Sequence, residues 1–267
     1  MNKAAMQLAA IGLLSAGAAS AADIRRAPVS GPPPLAPQLA PQPLTSQVTW
    51  TGCYVGGGGG YGMVNQATRF FVTSSVGVGP TTESGGRGWF GTAQVGCDVQ
   101  VASNWVIGAF ADYDFASIKG DMSVQATAWV GQDKLRSSWS AGGRIGWIPS
   151  QQPFLVYVSA GHTEARYGVV DFLAAASGLP ANFSLAKHTY TGWFVGAGYE
   201  YGIGWLPSLF WKTEYRFARY GADKVSIFET PTGGTTTFEL ENRKYAQTIR
   251  SELVWRFNFG GPVVARY

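Results

Sequence analysis

Charge is scarce in this chain: only 13% of its 267 residues are Asp, Glu, Lys or Arg. The formal charge of +4 is mild and no run of Lys and Arg exceeds a pair, so the basic footprint of a nucleic-acid binder is missing. Histidine and cysteine number two each, and neither histidine has a cluster of further ligands around it, as a metal site would need. Beyond the first two dozen residues there is no uncharged apolar run near the roughly 20 residues that a spanning helix needs. Yet 46% of the chain is hydrophobic and its mean hydropathy is +0.01. If such a chain enters a membrane, it must do so with strands. Its length suits one large all-β domain or two small ones.

The two ends of the first 49 residues differ in kind. Lys3, the apolar stretch Leu8 to Ala18 and the small residues Ala19-Ser20-Ala21 form the charged start, core and cleavage site of a secretory signal, expected over residues 1–22. Residues 23–49 carry seven prolines, Pro28, Pro32, Pro33, Pro34, Pro37, Pro41 and Pro43, and are expected to be an extended periplasmic linker.

From residue 50 to 259 the chain alternates apolar and polar residues at period two, which places one set on each face of a strand. Eight strands are expected: Thr51–Asn65, Gly88–Ala102, Trp105–Ser117, Leu135–Ile148, Phe154–Gly168, Thr189–Tyr201, Leu209–Ala218 and Ala246–Phe259. Short turns alternate with long polar loops through residues 66–87, 118–134, 169–188 and 219–245. An even set of strands of about ten residues, with short turns at one end and long loops at the other, predicts an all-β, eight-stranded antiparallel transmembrane barrel. A soluble sandwich does not sort its loops in this way. The greasy faces carry Trp89, Phe115, Tyr167, Trp193 and Phe217 toward the long loops and Trp105, Trp147, Tyr201, Trp211 and Trp255 toward the short turns. Two such belts suit the two lipid–water interfaces.

The inward faces carry the charge. The acids expected there are Asp98, Asp112, Asp114, Glu164, Glu200, Glu214 and Glu252, and the bases Arg136, Arg144, Arg166, Lys212, Arg216, Arg250 and Arg256. Folding the last hairpin sets Glu214 near Arg250 and Lys212 near Glu252, so opposite charges meet across strands. An eight-stranded barrel is just wide enough to be filled by its own side chains, and the lumen is expected to be a closed charge network. Cys53 and Cys97 fall on outward faces of neighbouring strands. Because a cross-strand bridge is geometrically demanding, two free lipid-facing thiols are expected, with a disulfide as the alternative.

Three stretches resemble a family: Trp50-Thr51-Gly52-Cys53-Tyr54-Val55-Gly56-Gly57, Gly108-Ala109-Phe110-Ala111-Asp112-Tyr113-Asp114 and Trp193 through Tyr201. They are similar to the small outer-membrane β-barrels of alphaproteobacteria, the porin-like surface antigens, which are related in architecture to the OmpA barrel. The closing Glu252-Leu253-Val254-Trp255-Arg256-Phe257 also fits. The resemblance implies the cell outer membrane of a Gram-negative bacterium as the location, and an outer-membrane assembly machinery that reads the aromatic end of the last strand, here Trp255, Phe257 and Phe259. Residues 260–267, which open with two glycines and Pro262, are expected to be a C-terminal tail.

Catalytic chemistry finds little support. Gly57-x-Gly59-x-x-Gly62 matches a dinucleotide fingerprint in letters only, since no helix opens after it; its glycines are expected to leave room for large neighbours in a narrow lumen. His162, expected inward, and His188 stand beside no evident nucleophile. No cofactor and no enzymatic activity are expected. The function expected is envelope integrity and surface presentation, with a small-solute porin, or a receptor or adhesin acting through the long loops, as alternatives. The expected partners are outer-membrane lipid and lipopolysaccharide, the latter through rim cations Arg87, Lys119, Lys134, Lys187, Arg219, Arg243 and Lys244.

Overall fold

The computed structural model describes residues 49–72, 76–124, 128–149, 153–206, 208–230 and 232–257. The expected signal peptide, the Pro-rich segment up to residue 48, Phe259 and the tail lie outside these. Among the described residues are eleven strands: β1 Gly52–Val72, β2 Val76–Ala102, β3 Trp105–Val124, β4 Trp129–Trp147, β5 Phe154–Tyr167, β6 Val170–Ala174, β7 Pro180–Leu185, β8 His188–Gly202, β9 Leu209–Tyr220, β10 Asp223–Glu229 and β11 Thr235–Phe257. Eight of them pair in the order β1-β2-β3-β4-β5-β8-β9-β11, and β11 pairs back onto β1. Every pairing is antiparallel, so the sheet is a closed eight-stranded barrel.

The other three strands occupy what the sequence presents as long loops. β5 ends and β8 begins at the rim, with Tyr167 opposite His188, and β9 stops at Tyr220. β6, β7 and β10 take their places above that level. β6 pairs with β4 and β7, β7 with β10, and β10 with β11. A strand crosses the bilayer in about 9–11 residues, whereas β2 has 27 and β11 has 23. The surplus of the long strands and the three short ones together form a crown on the outer side.

Polarity reverses between the two levels. In the barrel the outward residues are Val95, Ile107, Ala111, Ile145, Val158, Val195, Ile249 and Leu253, all exposed to lipid. In the crown, Phe70, Met122, Val170, Phe172, Leu185, Ile227 and Leu240 point inward and are buried. The outward crown residues include Asn65, Arg69, Asp121, Gln132, Asp171 and Arg243. Trp129 anchors the crown core, stacked on Phe183 at 4.7 Å and packed on Phe172 at 5.8 Å.

Two strand faces differ from the sequence expectation. Val156 lies opposite Trp147 and Val158 opposite Ile145, and directly opposed residues share a face. Hence His162, Glu164 and Arg166 point outward, and Leu155, Tyr157, Ser159, Thr163 and Tyr167 line the lumen. Tyr167 therefore leaves the outer aromatic belt. On β4 the register shifts between Leu135 and Ser137, so Arg136 is an extra residue that breaks the alternation and is exposed.

The cysteines are also corrected. Cys53 is paired directly with Cys97 in the β1–β2 register, and the two form a disulfide. The sequence locates them only within a few residues of opposition, and the bridge requires the in-register pair that forms.

Candidate functional site

The lumen is the candidate site, and bare backbone makes it possible. On β1 the inward side carries glycines; a Cβ on Gly60 would lie 2.5 Å from the Phe90 ring, and one on Gly56 would lie 3.0 Å from the Gln94 amide. The room they leave is filled by long side chains from the other strands.

Near the short turns two acids and two bases alternate in a ring. Arg144 reaches Asp98 at 2.5 Å and Glu200 at 3.2 Å. Arg256 reaches Asp98 at 2.7 Å and places Nη2 2.9 Å from both Glu200 oxygens. Such shared, two-toothed guanidinium contacts are the strong form of the ion pair. Below the ring, Trp50 and Phe210 pack at 5.1 Å, and Arg256 lies over both. Trp50 is only 2% exposed and covers this end of the lumen.

A second tier sits above. Arg216 bonds Asp112 and Glu214, each at 2.9 Å, and Arg250 bonds Asp112 at 3.3 Å and Asp114 at 3.1 Å. Lys212 lies 3.3 Å from Glu252 and 3.4 Å from Glu214, and donates to Gln94, which also bonds Glu252. Tyr157 and Ser159 donate to Glu214, and Ser138 to Asp114. The cations also rest on ring faces, Arg216 over Phe194 at 4.2 Å and Arg250 over Phe90 at 5.3 Å.

Eleven of the residues expected in the lumen meet there: Asp98, Asp112, Asp114, Arg144, Glu200, Lys212, Glu214, Arg216, Arg250, Glu252 and Arg256. Arg136, Glu164 and Arg166 do not. Glu164 instead accepts from the Trp139 indole at 2.9 Å on the outer face and has His162 at 3.6 Å. The partners differ in part from the hairpin reading: Glu214 is in register with Arg250, but Arg250 turns to Asp112 and Asp114.

A third element, Lys244 with Asp133 and Gln66, lies between the charged tiers and the crown core. Lys244 is buried rather than a rim cation. The signal was present, because Lys244 shares the parity of Arg250 on β11. Trp255 and Phe257 are exposed on the outer face of β11 near the short-turn end.

The arrangement holds charge in place: the lumen hydroxyls of Ser138, Tyr157 and Ser159 donate to carboxylates that are themselves held by Arg250, Arg216 and Lys212, and among the described residues there is no cluster of metal-ligating groups. Fold and lumen together define a small outer-membrane β-barrel. No family model matches the chain. It is, however, 30% identical over 260 residues to the 31 kDa outer-membrane immunogenic protein of Brucella melitensis, across 94% of this chain and 98% of the relative. The protein of the same name from Brucella suis matches to the same extent. The chain belongs to this family of outer-membrane immunogenic proteins and resides in the outer membrane of a Gram-negative bacterium. Among solved structures, the outer membrane protein OprG from Pseudomonas aeruginosa aligns with a TM-score of 0.51 at 11% identity, over 79% of this chain and 99% of that one. That likeness is one of fold.

Proposed function

We propose that this protein is a non-enzymatic, non-conducting barrel that reinforces the outer membrane and displays its crown at the cell surface. One observation carries the reading. The lumen charges Asp98, Arg144, Glu200, Lys212, Glu214, Arg216, Arg250 and Arg256 have side chains between 0% and 4% exposed. A water-filled pore would wet the groups that line it. Here each cation is held by carboxylates, and aromatic residues cover the tiers from both ends. Display of the crown agrees with the relatives' description as immunogenic.

The test is planar-bilayer recording of the refolded protein. Wild-type barrels, shown to be folded by a difference in migration between boiled and unboiled samples, are expected to give no unit conductance steps. The double variant Glu200→Ala/Arg256→Ala, which shortens one acid and one base of the lower ring, is expected to open measurable leak events. A stable, uniform channel from the wild-type protein would replace this reading with a small-solute porin.

A further inference from the structure

The outer face of β2 to β5 carries an uncompensated row of cations at the rim. Arg87 lies opposite Lys119, and Lys119 lies opposite Lys134. Arg136, thrown outward by its bulge, lies across Gly168: a Cβ there would be 2.7 Å from its Nε. Arg166 is the outward neighbour on β5, opposite Ser137. Like charges set directly opposite one another on a sheet are destabilising. Among the described residues none of the five has an ion-pair partner within 4.0 Å. The outward acids nearby are Asp121 and Asp171, on the crown side of Lys119 and Lys134, Glu83, four residues further up β2 from Arg87, and Glu164, which is engaged with Trp139.

Two further features point to what balances the row. A recess of about 490 Å³ opens on the outer surface, lined by Arg87, Lys119, Asp121, Gln132, Asn65 and Met63. Its floor is bare backbone at Gly85, Gly86 and Gly120; Gly85 is the outward one, and a Cβ there would lie 3.1 Å from Asn65 Oδ1. Just below the row stands the outer aromatic belt, with Trp89 72% and Phe115 64% exposed, and Tyr113 and Trp139 beside them. Exposed rings of this kind mark the lipid–water boundary. The cations therefore stand at headgroup height of the outer leaflet, above lipid-contacting rings and next to a cleft that admits a sugar-sized group.

We propose that this face binds the phosphorylated headgroup of lipid A, with Arg87, Lys119 and Lys134 holding a phosphate, Arg136 and Arg166 extending the site, and the glycine-floored recess receiving the adjoining sugar. Guanidinium and ammonium groups form charge-assisted hydrogen bonds to phosphate. The opposite side of the barrel is not built this way: Arg243 pairs with Glu241 at 3.4 Å, and Arg219 lies over the Tyr245 ring at 5.8 Å. The site stands whether or not the lumen conducts.

The experiment uses the full folded protein in phosphatidylcholine vesicles, titrated with bis-phosphorylated lipid A and with the same lipid A stripped of phosphate. Binding is read from retained lipid and from the temperature at which the unboiled band is lost. Wild-type protein is expected to prefer the phosphorylated form at least tenfold. R87Q/K119Q/K134Q should lose that preference, whereas R219Q/R243Q should change it less than twofold. If the triple variant fails to fold, K119Q alone should weaken binding about threefold. Equal binding of the two lipid A forms by wild-type protein overturns the proposal. So does unchanged preference in a folded triple variant or in K119Q, or selective binding of soluble sucrose octasulfate without binding of lipid A.

Discussion

The membrane barrel and the crown share five of their strands, β1, β2, β3, β4 and β11, and solve opposite problems. Along β11, Ile249 and Leu253 face lipid while Arg250 and Glu252 face inward; fewer than ten residues earlier, Leu240 is inside and Arg243 outside. The alternation is continuous and only its polarity flips. Lipid makes apolar side chains cheap on the outside of the barrel, so the narrow interior can be given to paired charge. Water around the crown removes that freedom and drives the apolar set inward. The difference shows that a strand is specified by its period, whereas its surroundings decide which face is greasy.

The largest effect is expected in the barrel interior. Replacing Glu200 by Ala leaves Arg144 and Arg256 sharing Asp98 alone, and breaking a buried pair in this way costs about 3–5 kcal/mol. Urea titration of folding into vesicles measures it, and an unchanged midpoint would show that water already reaches the ring. In the crown, Ile227→Ala creates a cavity costing about 2–5 kcal/mol. That loss should stay local: proteolysis of the crown rises while heat-modifiable migration of the barrel persists. A collapse of both would show that the two levels are one cooperative unit.

The same substitution on two outward positions of β3 sharpens the contrast. Ala111→Arg faces the middle of the bilayer and should cost roughly 2–4 kcal/mol, whereas Ser123→Arg in the crown should cost about 0–1 kcal/mol, by the depth dependence of barrel surfaces. Equal costs, measured by the same urea titration, would place Ser123 in lipid. Smallest of all should be C53A/C97A, because the β1–β2 ladder already holds these residues in register. Its cost is expected near the low end of the roughly 0–5 kcal/mol range of disulfides, read as a shift in thermal midpoint.

The barrel was legible in the sequence because lipid-facing alternation, short turns and belts at both ends point the same way. The lumen was legible wherever parity ran unbroken, as from Asp112 to Asp114 or from Arg250 to Arg256. It failed at Arg136, where one bulged residue reverses the faces, and at Glu164 and Arg166, where both sets of β5 mix apolar and polar residues. Which set points inward is fixed there by pairing with Ile145 and Trp147 on β4, a long-range fact. The crown stayed hidden for a different reason. Phe70, Met122, Phe172 and Leu240 alternate like any strand, but a search for greasy outward faces reads their polar partners as loop. Lys244 was misplaced by the same habit, since its parity with Arg250 marks it as inward.

A spin-label accessibility scan along β11, from Thr235 to Phe257 in vesicles, tests the polarity reversal most directly. Outward positions 249, 251, 253 and 255 should be reached by oxygen from lipid, positions 241 and 243 by a water-soluble nickel reagent, and the inward positions 250, 252 and 254 by neither. Oxygen access continuing at period two up to residue 241, or nickel access at residues 250 and 252, would contradict the account.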